Sequence, residues 1–270
     1  MSLTLGSGPL ASGRSGFFNS AVSIAGRVLY FEPAPARVRG IFAGETIVDS
    51  QAVWLLHEGA AFPQWYFPRS DVRWDLLDPG AVPLRCPLKG EATVYSLRVG
   101  DRCADNVAWS YGHRPTLGFD LSNYVSFHFS MLDEWWEEGE RVQGHPRDPY
   151  HRVDVMRTSR QVVVSYHGQE LARSIEAEVA YETGLPPRYY LPMEDVALEL
   201  LEPTGSVSYC PYKGEAFHWR LRGGENIAWT YYEPRLAVAP LEDLVAFHTE
   251  WVDLKLDGQL QPRPLAGWFR

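Results

Sequence analysis

The sequence predicts a mainly β protein: two tandem, homologous, compact antiparallel β domains, each a small barrel or sandwich-like fold with one short helix. Three observations carry this. "CPLKGEA", from Cys86 to Ala92, returns as "CPYKGEA" from Cys210 to Ala216, an offset of 124, and self-similarity at a fixed offset marks a repeated unit. Hydrophobic residues alternate over short runs broken by Gly, Pro and Asp, the period of half-buried strands. At 270 residues the chain is long enough for two ordinary domains, each with its own core.

The repeat extends well beyond the heptapeptide. Pro63, Tyr66, Pro68, Asp71, Val72, Leu76, Leu77 and Pro79 meet Pro187, Tyr190, Pro192, Asp195, Val196, Leu200, Leu201 and Pro203 at the same offset. Upstream, Glu58 meets Glu182 and Gly44 meets Gly168. Downstream, "RVGDRCADNVAWSY" shortens to "RGGENIAWTY", four residues are lost, and the offset becomes 120. Asn106, Trp109, Tyr111 and His128 then meet Asn226, Trp229, Tyr231 and His248. These boundaries give an N-terminal arm over residues 1–26, a first, divergent repeat over 27–145 and a second repeat over 146–270, joined near the turn-rich "GHPRDPYH".

Taken in order, "QVVVSYHGQELARS" reads as a hairpin turning near His167-Gly168. In "YCPYKGEAF", Pro211 restricts Cys210 to an extended conformation and Gly214 supplies a left-handed position, so the heptapeptide is a tight loop between two strands. After it, Phe217, Trp219 and Leu221 alternate with His218, Arg220 and Arg222, one face dry and one wet. The expected helices are "PLEDLVAFH", with Pro240 in its first turn, and "DLSNYVSFHF", opened by a capping Asp120. "VDLKLDG" returns to strand.

Charge and composition exclude some partners. The formal net charge is −9 with acidic residues spread along the chain, so no basic stripe offers itself to nucleic acid or to an anionic membrane. No apolar run approaches the roughly 20 residues that span a bilayer, and the N-terminus lacks a secretory signal. The expectation is a soluble, cytoplasmic protein with a small-molecule, anionic partner, no cofactor and no metal. Cys86, Cys103 and Cys210 lack CxxC spacing, so neither a disulfide framework nor a zinc knuckle is indicated.

Candidate functional residues come from what the repeat retains. Lysine occurs three times, at 89, 213 and 255, against 22 arginines, and two of the three lie in the heptapeptide. A solvated cation in so arginine-rich a chain has no need to be lysine, whereas an ammonium can be deprotonated when buried. Cys210 beside Lys213 is a candidate nucleophile, Lys213 a candidate amine or anion holder, and Glu215 its counterion or a general base. A structural turn with a buried thiol explains the loop equally well. His248 is a candidate proton shuttle, or a core or cap histidine. Arg188 beside Tyr190 is a natural clamp for carboxylate or phosphate. Trp229 and Tyr231 alternate onto one side of a strand, and Glu182 either orders the Pro-rich segment after it or faces a ligand. The first-repeat equivalents are Cys86, Lys89, Glu91, His128 and Trp109, but Gln64 stands where the second repeat has Arg188. This places the principal site in the second repeat.

"ETGLPPRYYLPMEDVALELLEP", "CPYKGEAFHW", "IAWTYYEP" and "LVAFHTEWVDLKLDG" together resemble successive blocks of the family known as domain of unknown function 427, sometimes labelled a nucleotidyltransferase domain. The resemblance covers about residues 151 to 262 and implies a compact β-rich domain. It supplies no reaction, cofactor or catalytic set, and the chain has no Gly-Ser followed by paired aspartates to hold Mg²⁺. The resulting expectation is a small-molecule enzyme acting on an anionic or carbonyl-bearing metabolite through Cys210, Lys213, Glu215 and Arg188. The alternative is a non-catalytic sensor or carrier using the same residues.

Overall fold

A computed structural model describes residues 28–264, apart from 60, 81, 115 and 116. The arm expected over residues 1–26 lies outside the described residues. The described chain divides into two compact units, one ending at Asp148 and the other beginning at Pro149.

In the first repeat the strands are β1 (Leu29–Pro33), β2 (Val38–Phe42), β3 (Glu45–Ser50), β4 (Trp54–Glu58), β5 (Gln64–Pro68), β6 (Leu77–Pro79) and β7 (Leu84–Cys86). They continue with β8 (Gly90–Val99), β9 (Arg102–Tyr111), β10 (Tyr124–Phe127), β11 (Glu134–Glu137) and β12 (Glu140–Val142). A large sheet runs β1-β4-β5-β10-β9-β8-β6, with β7 also paired to β8, and a small sheet runs β12-β11-β2-β3.

The second repeat has β13 (Val153–Arg157), β14 (Val162–Tyr166), β15 (Gln169–Ser174), β16 (Glu178–Glu182), β17 (Arg188–Pro192) and β18 (Leu201–Cys210). These are followed by β19 (Gly214–Leu221), β20 (Asn226–Thr230), β21 (Leu244–Phe247), β22 (Asp253–Leu256) and β23 (Gln259–Leu260). The same order recurs: β13-β16-β17-β21-β20-β19-β18 in the large sheet and β15-β14-β22-β23 in the small one, with every pairing between them antiparallel. The four residues missing from the second copy shorten the hairpin that β8 and β9 build in the first.

Period-two alternation gives each large sheet two different faces. In the second repeat Val179, Leu191, Val245 and Phe247 point inward against Val162, Val164, Leu171 and Leu254 of the small sheet, closing the main core. The alternate residues Ala180, Tyr190, Ala246, Trp229 and Tyr231 point outward and form a second apolar cluster, capped by Val238 and Leu241. The first repeat has the same pair of clusters, with Phe67, Val125, Phe127 and Trp135 inside and Leu56, Tyr66, Trp109, Tyr111 and Leu121 outside.

The hairpin at His167-Gly168 forms as its sequence implies: both residues take positive φ, 48° and 83°, the backbone of a two-residue turn whose twist matches its strands. The expected helices do not form. Residues Leu236–Leu241 make a short 3₁₀ segment, Asp243 then takes φ +57°, and "LVAF" is the strand Leu244–Phe247. In the first copy Asp120 Oδ1 accepts the N–H of Ser122 at 2.9 Å, which is an Asx turn and not a helix cap, and Tyr124–Phe127 is a strand. His128 and His248 therefore follow strands, and no described helix is long and apolar enough to cross a membrane.

Candidate functional site

The outer face of the second repeat's large sheet collects most of the residues singled out above. Glu178 lies opposite Tyr190, Tyr190 opposite Ala246, Ala246 opposite Trp229 and Trp229 opposite His218, and residues directly opposed across strands share a face. Two residues along from this row on their strands are Arg188, His248, Tyr231 and Ala216, with Glu182 on the same face at the end of β16. One face thus carries three polar groups of different kinds among buried aromatic rings.

The first group is centred on Glu182. Its Oε2 accepts a hydrogen bond from the Lys213 ammonium, and its Oε1 lies 2.9 Å from His151 Nε2. Lys213 and His151 are both buried, and the His151 ring lies 4.0 Å from that of Tyr212. Burial alone would push the Glu182 carboxyl up. The hydrogen bond from His151 and the charge of Lys213 outweigh it and hold the carboxyl down at about 2. Burial likewise opposes the charge on Lys213, but neighbouring Cys210 and Glu182 overcome this and push the ammonium up. An amine held protonated has no lone pair with which to attack a carbonyl, so Lys213 is a fixed positive charge.

The heptapeptide loop presents that ammonium. Gly214 has φ +107°, and a Cβ there would lie 3.2 Å from the Glu233 carbonyl oxygen, so glycine is required twice over. The Lys213 carbonyl accepts the N–H of Arg235 at 3.0 Å. Glu215 is not the lysine's counterion: it lies opposite Tyr209, on the side of the strand away from Ala216. In the first repeat Lys89 Nζ lies 2.5 Å from Glu58 Oε2, while Glu91 pairs at 3.3 Å with the exposed Arg85. The Lys89 N–H donates to Cys86 Sγ at 3.4 Å, so that thiol helps to close the turn. All three cysteines are free, and Cys86 and Cys210 are half-buried.

The second group is Arg188, whose guanidinium is engaged within the chain. Its Nη1 donates to Glu250 Oε2 at 3.0 Å, to Thr249 Oγ1 at 2.8 Å and to the Phe247 carbonyl at 3.2 Å, and its Nη2 donates to Glu250 Oε1 at 2.8 Å. It also lies 5.4 Å from the Trp229 ring centroid. The bidentate carboxylate foreseen for Arg188 is thus a residue of the chain itself. At the first-repeat equivalents, Gln64 replaces Arg188 and Ser130 replaces Glu250, so both ends of the pair change together.

The third group is His248, with its ring 4.6 Å from Trp229 and 4.7 Å from Trp251. Burial, then the Arg188 charge, push it down to about 4, leaving a neutral imidazole near neutral pH. His128 repeats the contact at 4.6 Å from Trp109 but is exposed. Tyr190 and Tyr231 are buried with their hydroxyls pushed up by desolvation, so they are neutral. Among the described residues no three His, Cys, Asp or Glu side chains are grouped to hold a metal ion.

Three participants escaped the sequence reading. Glu250 was findable from its joint replacement with Arg188 between copies. His218 stood on the wet face of an alternating strand, with Val94 as its counterpart. His151 carried no signal, because its contact with Glu182 spans 31 residues.

One family pattern, NTP_transf_9, described as a domain of unknown function (DUF427), matches residues 30–138 and again 154–258. The chain belongs to this family. Its two DUF427 segments lie one in each β repeat, and each contains its own Lys-Glu pair and aromatic outer cluster. No curated protein matches the chain.

Proposed function

We propose that this cytoplasmic protein binds a small anionic or carbonyl-bearing metabolite on the outer face of its second repeat. The observation that carries this reading is the concentration on that face of Lys213, Arg188, His248, Tyr190 and Trp229, on a sheet whose inward face already supplies the structural core. Core formation does not call for a buried ammonium and a buried guanidinium there, since charged groups are costly to bury. Lys213 acts as a fixed charge, Tyr190 and Tyr231 as neutral hydrogen-bonding groups and Trp229 as an apolar wall. A screen of metabolites by thermal shift tests this. A ligand at about a hundredfold excess over its Kd adds about 2.7 kcal/mol of stability, and a screen in which no anionic or carbonyl compound stabilises the chain rejects the reading.

The enzyme reading rests on Cys210, a free half-buried thiol whose Lys213 neighbour is close enough to interact with it electrostatically. In it, the Cys210 sulfur adds to the carbonyl carbon as the C=O π bond opens and the thiol proton passes to the carbonyl oxygen, while the cations orient the substrate. Labelling with a small electrophile separates the two readings: Cys210 must outpace the exposed Cys103, and the stabilising ligand must be consumed. Equal labelling with the ligand recovered intact leaves the binding reading alone.

A further inference from the structure

The two repeats keep the same tryptophan on the outer face and surround it differently. Trp109 of the first repeat lies opposite Val94 and Ser126. Trp229 of the second lies opposite His218 and Ala246, with His248 at 4.6 Å on its ring and the Arg188 guanidinium at 5.4 Å. His218 Nε2 in turn lies 2.8 Å from Ser208 Oγ, where the first repeat has Leu84. The tryptophan and one histidine beside it are common to both copies, and the arginine and the second histidine are present only in the second.

We propose that His218 and His248, set around Trp229 beside Arg188, form a proton-linked subsite for the oxyanion group of a ligand, whether carboxylate or phosphate. The inference rests on the binding reading above and deepens it by assigning the group that holds the anion and the pH range in which it holds.

His218 lies directly opposite Trp229 and the His248 ring lies 4.6 Å from it, and two imidazoles beside one indole resist being charged together. Burial adds to that resistance, lowering His218 as well as His248. An anion placed between them reverses both effects, because it pairs with the imidazolium form. Binding therefore takes up protons, and affinity rises as pH falls. Among the described residues, the charged groups facing the pair include Arg188 and Glu250, joined to each other as an ion pair, and, one cross-strand pair further along, Arg220 with Glu202 at 2.8 Å. The charge that decides binding is consequently the proton on His218 and His248.

The test is an NMR titration of the histidine ring resonances of the whole chain against pH, with and without inorganic phosphate. Phosphate is expected to raise the apparent pKa of His248 and His218 by one unit or more, a tenfold or greater preference of the anion for the imidazolium form. His128 is the internal control, since it makes the same contact with Trp109 but lacks the second histidine and the arginine. Its titration is expected to stay in place. His218→Val, which installs the first-repeat residue, should reduce the phosphate-induced rise at His248 while leaving the circular dichroism spectrum unchanged. Equal rises at His128 and His248, or no rise at either His218 or His248, overturn the inference. So does a metabolite that binds equally at about pH 5.5 and about pH 8 without moving these rings, and that last outcome leaves the binding reading standing.

Discussion

Glu182 accepts a hydrogen bond from the ammonium of Lys213, 31 residues further along the chain, and the two side chains are buried together on the outer face of one sheet. Removing the lysine leaves the carboxylate in a dry place with its charge no longer balanced by the ammonium, and His151 as its remaining hydrogen-bond partner. Lys213→Ala should therefore destabilise the second repeat by about 3–5 kcal/mol. The paired change Glu182→Gln with Lys213→Met should recover most of that loss. Urea denaturation of the single and double variants checks this. A double variant as unstable as the single one would show that the pair does not act as a unit.

The same logic governs Arg188. Arg188→Gln alone strands the carboxylate of Glu250 and should cost about 3–5 kcal/mol, so any loss of ligand binding in that variant is confounded by instability. Adding Glu250→Ser installs both residues found at the first-repeat positions and should restore stability. A double-mutant cycle is expected to show a coupling of more than 1 kcal/mol, within the range for residues sharing one ion pair.

Acid should weaken the second repeat in two stages. His248 is held at about 4 against an ordinary value of 6.5, so the unfolded chain takes up its proton first and stability is lost as pH falls from 6.5 towards 4. Glu182 is held at about 2 against an ordinary value of 4.5, so its contribution, complete above 4.5, is lost as pH falls through 2. Both signs agree: the folded state binds fewer protons than the unfolded state in both windows. Thermal melts across this range should show His248→Gln flattening the upper stage and Glu182→Gln flattening the lower.

Gly214→Ala and Gly168→Ala differ only in part. Both positions have positive φ, but a Cβ at Gly214 meets the Glu233 carbonyl oxygen at 3.2 Å, while at Gly168 nothing lies within 4 Å. Each substitution should cost about 1–3 kcal/mol of backbone strain, and the Gly214 variant should lose more. Equal melting temperatures for the two variants would show that the loop shifts freely away from Glu233.

Much of the architecture was legible because duplication made the sequence its own comparison. The offset of 124 marks the tandem copy that the two family segments reproduce, and alternation in "QVVVSYHGQELARS" marks a hairpin that needs no distant partner. The helices were misread because local signals were taken singly. Pro240 followed by acids resembles a helix start, yet "LVAF" is only four residues long and packs as a buried central strand between β17 and β20, where tertiary pairing overrides local propensity. In the candidate site, Glu182 and Lys213 were each visible as retained residues, but their partnership was not. The lysine was matched to Glu215, its neighbour in sequence, although the alternation of a strand turns that residue to the opposite face.

Among the described residues, each repeat builds two apolar clusters of its own, an inner and an outer one. Heat is therefore expected to act on two cooperative units in one polypeptide, with a calorimetric trace that is the sum of two transitions; a single transition with equal calorimetric and van't Hoff enthalpies would show that they unfold together. A cavity made at Phe247 lowers one transition, and a cavity made at Phe127 lowers the other. Between pH 6.5 and 4, where the second repeat carries the additional penalty of His248, a protease should release its strands while the first half persists as a resistant fragment. No single unfolding free energy describes such a chain.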